Sequence, residues 1–124
     1  MPIGPCVVVV LATALLGCTR HQIIQEAEQV SGGSAKVGRH LIYAYGCGSC
    51  HVIPGVAEAN GTLGPPLQGF ASRIYIAGSL QNTPENLYRW IRKPQQVVPG
   101  SAMPDVGVSE RQAHDIAAYL YTLL

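Results

Sequence analysis

Charge is scarce in this chain. Asp, Glu, Lys and Arg make up 12% of it, and eight Lys/Arg against seven Asp/Glu leave a formal net charge of +1. A nucleic-acid surface needs clustered Lys and Arg that displace counterions from phosphates, so nucleic acid is excluded as a partner. The local basic groups, Lys36/Arg39 and Arg89/Arg92/Lys93, read as solvated helix faces. Large aromatic side chains are few as well, with one Phe and one Trp, whereas fourteen Gly and nine Pro imply many loops. A domain of this make-up gains from a large apolar group at its centre. The 124 residues allow one compact domain, read as a monomer. The amino-terminal apolar run, Val7 to Leu16, falls well short of the roughly 20 residues that span a bilayer as a helix.

That run has the length of a signal-peptide core. It leads into Leu15-Leu16-Gly17-Cys18, which resembles the bacterial lipobox. Residues 1–17 are therefore read as a lipoprotein signal peptide, and Cys18 as the lipidated first residue of an exported protein. The anchor would be a bacterial membrane, with the protein facing the periplasm or the cell exterior. Residues 1–6 lack the positive charge usual before such a core, which an upstream start would repair. A diacylglyceryl group with N-acylation supplies the more than one acyl chain that stable anchoring requires. Residues 18–35 are mostly polar and read as a flexible tether a few nanometres in reach. Ile23, Ile24 and Val30 allow one brief helix within it.

From residue 36 onward the pattern is helix and loop. Val37, Leu41, Ile42 and Tyr45, with Ser34 as N-cap, predict a helix over 35–46 that delivers the chain into Cys47. The Gly/Pro density of 51–69 predicts a loop, with a possible helical turn near 70–76. Thr83, Pro84 and Glu85 announce a helix that Pro94 ends, with Leu87, Trp90 and Ile91 on its inner face. Ser109 to Gln112 fits a capping box, and Ala113, Ile116, Ala117, Leu120 and Leu124 predict a terminal helix to the end. No alternating strand pattern survives the Gly and Pro interruptions, so the fold class is all-α.

Cys47-Gly48-Ser49-Cys50-His51 places two thiols at the spacing that lets them add across the two vinyl groups of a haem. His51 then reaches the iron from the same side. Two other chemistries use such a Cys pair. A thioredoxin-like redox site expects a βαβ setting that is lacking here, and a four-ligand zinc site finds only Cys18 and scattered histidines. One covalent haem c is preferred to both. Once residues 1–17 are removed, Met103 is the sole Met, set in the Pro-rich loop VVPGSAMPDVG. Met is most often a gap-filler, but here it is read as the second axial ligand, making iron six-coordinate and closed to substrates. Its soft thioether favours the ferrous state. His21, His40 and His114 compete for this role and are read as surface residues, with a bis-His haem as the alternative.

Together these residues resemble class I cytochromes c, over about Gly38 to Leu124. The resemblance implies that fold: three to five short helices with long loops around one haem. Gly64-Pro65-Pro66-Leu67 is similar to the family stretch whose proline carbonyl accepts a hydrogen bond from the haem histidine, which implies that Pro65 orients His51. Tyr43 and Tyr119 would pack where the first and last helices cross. The run from Gly64 to Pro104 is similar to the cytochrome c domain fused to subunit II of some bacterial haem-copper oxidases, although no copper domain accompanies it. That likeness implies that Arg73 and Trp90 lie near the haem propionates.

The function this implies is electron transfer without substrate turnover. The domain of residues 36–124 would be a membrane-tethered monohaem carrier in a respiratory chain, passing single electrons to a terminal oxidase or from a membrane dehydrogenase. Leu67, Ile74 and Ile91 are expected to bury the ring. The alternatives are a haem sensor or peroxidatic site with a labile Met103, and a fixed haem subunit of a larger redox complex.

Overall fold

The computed structural model describes residues 5–124, apart from the side chains of 5–16 and 18. Residues 1–4 of the expected signal peptide, the side chains of 5–16 and the Cys18 side chain thus lie outside the description. The elements in order are α1 (Pro5–Ser31), α2 (Ala35–Ala44), a 3₁₀ turn (Cys47–Ser49), a second (Phe70–Ser72), β1 (Tyr75–Ile76), β2 (Leu80–Gln81), α3 (Pro84–Arg92), α4 (Pro94–Val97) and α5 (Glu110–Leu120). β1 and β2 form a two-residue antiparallel hairpin, pairing Tyr75 with Gln81 and Ile76 with Leu80. It is too short to carry an alternating pattern, and the fold remains all-α.

Each helix start has a local chemical cause. Ser34 accepts from Val37 N, Thr83 accepts from Asn86 N, and Ser109 and Gln112 complete a reciprocal capping box. These satisfy donors that a helix leaves unpaired. α3 ends at Arg92 as Pro94 requires, but Pro94 then starts the single turn α4, because its fixed φ suits a first helical position. α2 stops at Ala44 and α5 at Leu120, both earlier than their apolar spacing predicts. Past α5 the Leu123 carbonyl accepts from Ala71 N at 2.9 Å, and Leu124 is exposed.

The core forms where α2 crosses α5, with α3 beside them. A Cβ at Gly38 would lie 1.8 Å from the Asp115 carbonyl oxygen, so only glycine lets α2 approach α5 this closely. Ala113 and Ala117 keep the facing surface low, and Ile42, Leu87, Ile91 and Ile116 fill the space around it. The buried face of α2 is therefore Ala35, Gly38 and Ile42, leaving Val37 exposed. Tyr43, expected in the crossing, is also exposed, one residue round the helix from Ile42. Tyr119 is half-buried and donates to the Pro54 carbonyl at 2.6 Å.

Residues 19–31, read from sequence within a flexible tether, are helical, and the end of α1 is docked. Ile23 and Ile24 are half-buried, and Ala27 and Ser31 are buried. The Ser31 carbonyl accepts from Tyr88 Oη and His114 Nδ1, each at 2.7 Å, and Gly32 O accepts from Arg111. Carbonyls orphaned at the helix end are thus paired by α3 and α5. His114, expected at the surface, is half-buried and stacked on Tyr88 with ring centroids 4.0 Å apart. Asp115 is buried because its Oδ1 accepts from Ser34 N at 2.8 Å and pairs with Arg111 at 3.4 Å. Among the described residues no helix is long and apolar enough to cross a membrane.

Candidate functional site

The motif sits where α2 has just ended. Gly46 turns the chain with φ +70° into the 3₁₀ turn, and Cys50 N and His51 N both donate to Cys47 O, at 3.3 and 3.1 Å. The loop after it is laced onto its back: Gly61 N donates to Gly48 O at 2.9 Å and Gly64 N to Cys50 O at 2.8 Å. His51 Nδ1 lies 2.7 Å from Pro65 O. A carbonyl only accepts, so Nδ1 carries the proton and Nε2 keeps a lone pair for a metal. Gly64 packs over this ring, where a Cβ would lie 2.4 Å from His51 Cε1.

One cavity of about 520 Å³ gathers Cys47, Cys50, His51, Pro65, Arg73, Trp90 and Met103. The seven residues expected to tether, ligate or hydrogen-bond a cofactor therefore share one space, while Cys18 lies outside the described side chains. Leu67, Phe70 and Ile76 give it an apolar wall. Ile74 does not contribute, being 74% exposed, and Ile91 belongs to the helix core rather than the lining. None of His21, His40 and His114 lines the cavity.

Burial pushes the Cys47 thiol up. A backbone hydrogen bond opposes this, and Cys50 adds to the rise. A buried thiolate is thus disfavoured, whereas a thioether has no proton to lose. Arg73 Nη2 donates to Pro66 O, and to Gln68 O at 3.4 Å, with its guanidinium 5.5 Å from the Phe70 ring centroid. It pins the loop that follows Pro65, a task not apparent in the sequence, and its remaining N–H groups stay available. Sequence reasoning also missed Gln95, whose side chain bonds the Met103 loop. Its only sequence signal is its place one residue after Pro94. Among the described residues no group of three or more His, Cys, Asp or Glu side chains comes together as a metal site.

This geometry suits a flat, largely apolar ring tied at one edge by two thioethers and met by an imidazole nitrogen. The family profile described as Cytochrome c matches residues 35–124. The chain belongs to the cytochrome c family, is of class I by its helical architecture, and takes a covalently attached haem c. It is 36% identical over 99 residues to cytochrome c oxidase subunit 2 of Alkalihalophilus pseudofirmus, a match covering 79% of this chain and 28% of that one. It is 33% identical over 93 residues to the subunit 2 of Bacillus sp. strain PS3, covering 72% and 26%. Cytochrome c2 of Rhodopila globiformis is 31% identical over 104 residues, covering 73% of this chain and 94% of its own. The chain thus spans about a quarter of the oxidase subunits it matches and nearly all of the cytochrome c2. No solved structure gives a significant match.

Proposed function

We propose that this protein is a membrane-tethered monohaem cytochrome of a respiratory chain, without substrate turnover of its own. Cys47 and Cys50 would hold the haem through thioethers, His51 Nε2 and the Met103 sulfur would ligate its iron, and Arg73 and Trp90 would bind its propionates. The observation that carries this is the gathering of Cys47, Cys50, His51, Pro65 and Met103 around one cavity, with His51 already bonded to Pro65.

The haem supplies a one-electron Fe(III)/Fe(II) couple. Pro65 fixes the His51 ring and its tautomer, which also raises the basicity of Nε2. Met103 would supply the second iron ligand, which would exclude small molecules and keep the ligation similar in both oxidation states. Leu67, Phe70 and Ile76 exclude water, which helps set the potential. A sensor or peroxidatic site needs an accessible position at the metal, and Met103 in the cavity lining favours the carrier instead.

The Leu-Leu-Gly-Cys18 stretch supports a lipid anchor at Cys18 on an exported chain. The likeness to two oxidase subunits supports a terminal oxidase as electron acceptor, with a membrane dehydrogenase as the donor-side counterpart. The docked end of α1 would then hold the domain close to the anchor instead of letting it swing on a coil. Acid–acetone extraction of the purified protein tests the haem assignment: colour stays with the wild-type chain and is released from Cys47→Ala/Cys50→Ala. Extraction of all haem from the wild type would overturn it. Labelled palmitate incorporated by the wild type but not by Cys18→Ala tests the anchor.

A further inference from the structure

The Met103 loop is held by a side chain that no recognised motif contains. Gln95, the second residue of α4, is half-buried and donates from its one carboxamide nitrogen to two carbonyl oxygens, Ser101 at 2.7 Å and Met103 at 2.8 Å. Both amide hydrogens are thereby used. The Met103 N–H donates to Ser101 Oγ at 3.2 Å. Both backbone polar groups of Met103 are therefore paired with side chains, outside any helix or strand. The backbone N–H of Gln95 donates to Asp105 Oδ1 at 3.3 Å, and Asp105 Oδ2 lies 4.0 Å from Lys93 Nζ. Residues 93–95 thus grip the loop on both sides of Met103.

We infer that Gln95 is a positioning residue for the axial methionine, and that its carboxamide sets how firmly Met103 competes with other ligands for the iron. This rests on the reading of Met103 as that ligand. A methionine side chain has three rotatable bonds and adapts to many geometries, so its aim depends on the backbone that carries it. A loop without a hydrogen-bond ladder opens more readily than a helix or strand. Here two hydrogen bonds from one amide replace the ladder. Without them the detached loop gains population, and an added ligand meets less competition.

The donor character is what matters. Glutamate has the same reach as Gln95 but, when ionised, only accepts. Its oxygens would face the Ser101 and Met103 carbonyl oxygens and repel them. Gln96, exposed on the same turn, takes no part in the clamp and serves as the control.

The test uses the purified ferric holoprotein, titrated with imidazole while the Met-to-iron absorption band is followed. Two neutral hydrogen bonds correspond to about a tenfold lower half-saturating imidazole concentration in Gln95→Ala. Gln95→Glu falls at least as far, Gln96→Ala stays with the wild type, and the midpoint potential drops in the two Gln95 variants. If Gln95→Ala does not assemble with haem, the nearly isosteric Gln95→Glu carries the same comparison. A Gln95 variant that loses thermal stability yet binds imidazole as the wild type does would make the residue structural only, and the inference wrong. A wild type without the band fails the Met103 ligand reading itself, and that failure is seen before any variant is made.

Discussion

His51 Nδ1 donates to the Pro65 carbonyl across 2.7 Å, and this one bond leaves Nε2 as the ring nitrogen open to the iron ligation proposed above. Thirteen residues of loop separate the two, so the bond exists only because that loop is laced onto the back of the Cys motif. Gly64 permits it, since a Cβ there would lie under 3 Å from three ring atoms, Cε1 at 2.4 Å, Nδ1 at 2.8 Å and Nε2 at 2.9 Å.

Gly64→Ala is therefore expected to displace either the imidazole or the Pro65 carbonyl. Overpacking of this kind costs about 1–3 kcal/mol, and the altered axial bond shifts the midpoint potential. Potentiometric titration together with denaturant unfolding of the holoprotein checks both. A variant with wild-type potential and stability would show that the ring is not confined as described.

The second prediction concerns the helix crossing. At Gly38 the obstacle is the Asp115 backbone carbonyl, which cannot rotate aside. Gly38→Ala is expected to lose about 3 kcal/mol, the upper part of the overpacking range, despite the better helix propensity of alanine. Chemical denaturation followed by circular dichroism reads it, and a neutral or stabilising result contradicts the close approach.

Docking of α1 has its own signature. Tyr88→Phe removes one of the two donors to Ser31 O while keeping the ring stacked on His114. The cost is about 1 kcal/mol, with faster limited proteolysis around residues 28–35. Combining it with His114→Ala, which removes the second donor, accelerates cleavage further. Equal cleavage rates in all three proteins would mean that these bonds do not hold the helix.

Alkaline pH offers a fourth check. Burial, and then the neighbouring Tyr88, push Tyr121 up to about 12 from its usual 10.0. The unfolded chain therefore gives up this proton before the native one does. Stability is unaffected below pH 10, declines as pH rises from 10 towards about 12, and levels off above that. Tyr121→Phe flattens this part of the decline, leaving the smaller contributions of Tyr88 and Tyr119, which burial also raises. An unchanged pH profile in Tyr121→Phe would refute the assignment.

The parts of this fold legible in the sequence are those fixed by neighbours in the chain. Ser34, Thr83 and Ser109 act within three residues of themselves, so the helix starts fell where the caps placed them. Pro65 was singled out by resemblance and Met103 by scarcity, and both line the cavity of the Cys pair. What stayed hidden depends on long-range approach. Nothing in the local pattern singles out Gly38 or Asp115, yet each is required by the other helix. Ala27 and Ser31 are too small to register as an apolar stripe, which is why a docked helix end read as a tether. Ile74, expected against the ring, and Tyr43, placed in the helix crossing by resemblance, erred the other way and are turned to solvent. Gln95 bonds only to a loop that has no regular pattern of its own.

The measurement closest to the central claim is the ferric optical spectrum of the purified holoprotein recorded beside that of Met103→Ala. The account predicts a Met-to-iron band in the wild type that vanishes in the variant, together with carbon monoxide binding to the ferrous variant but not to the ferrous wild type. Identical spectra, or ready carbon monoxide binding by the wild type, would contradict a haem closed on both faces and point to a sensor or peroxidatic site instead.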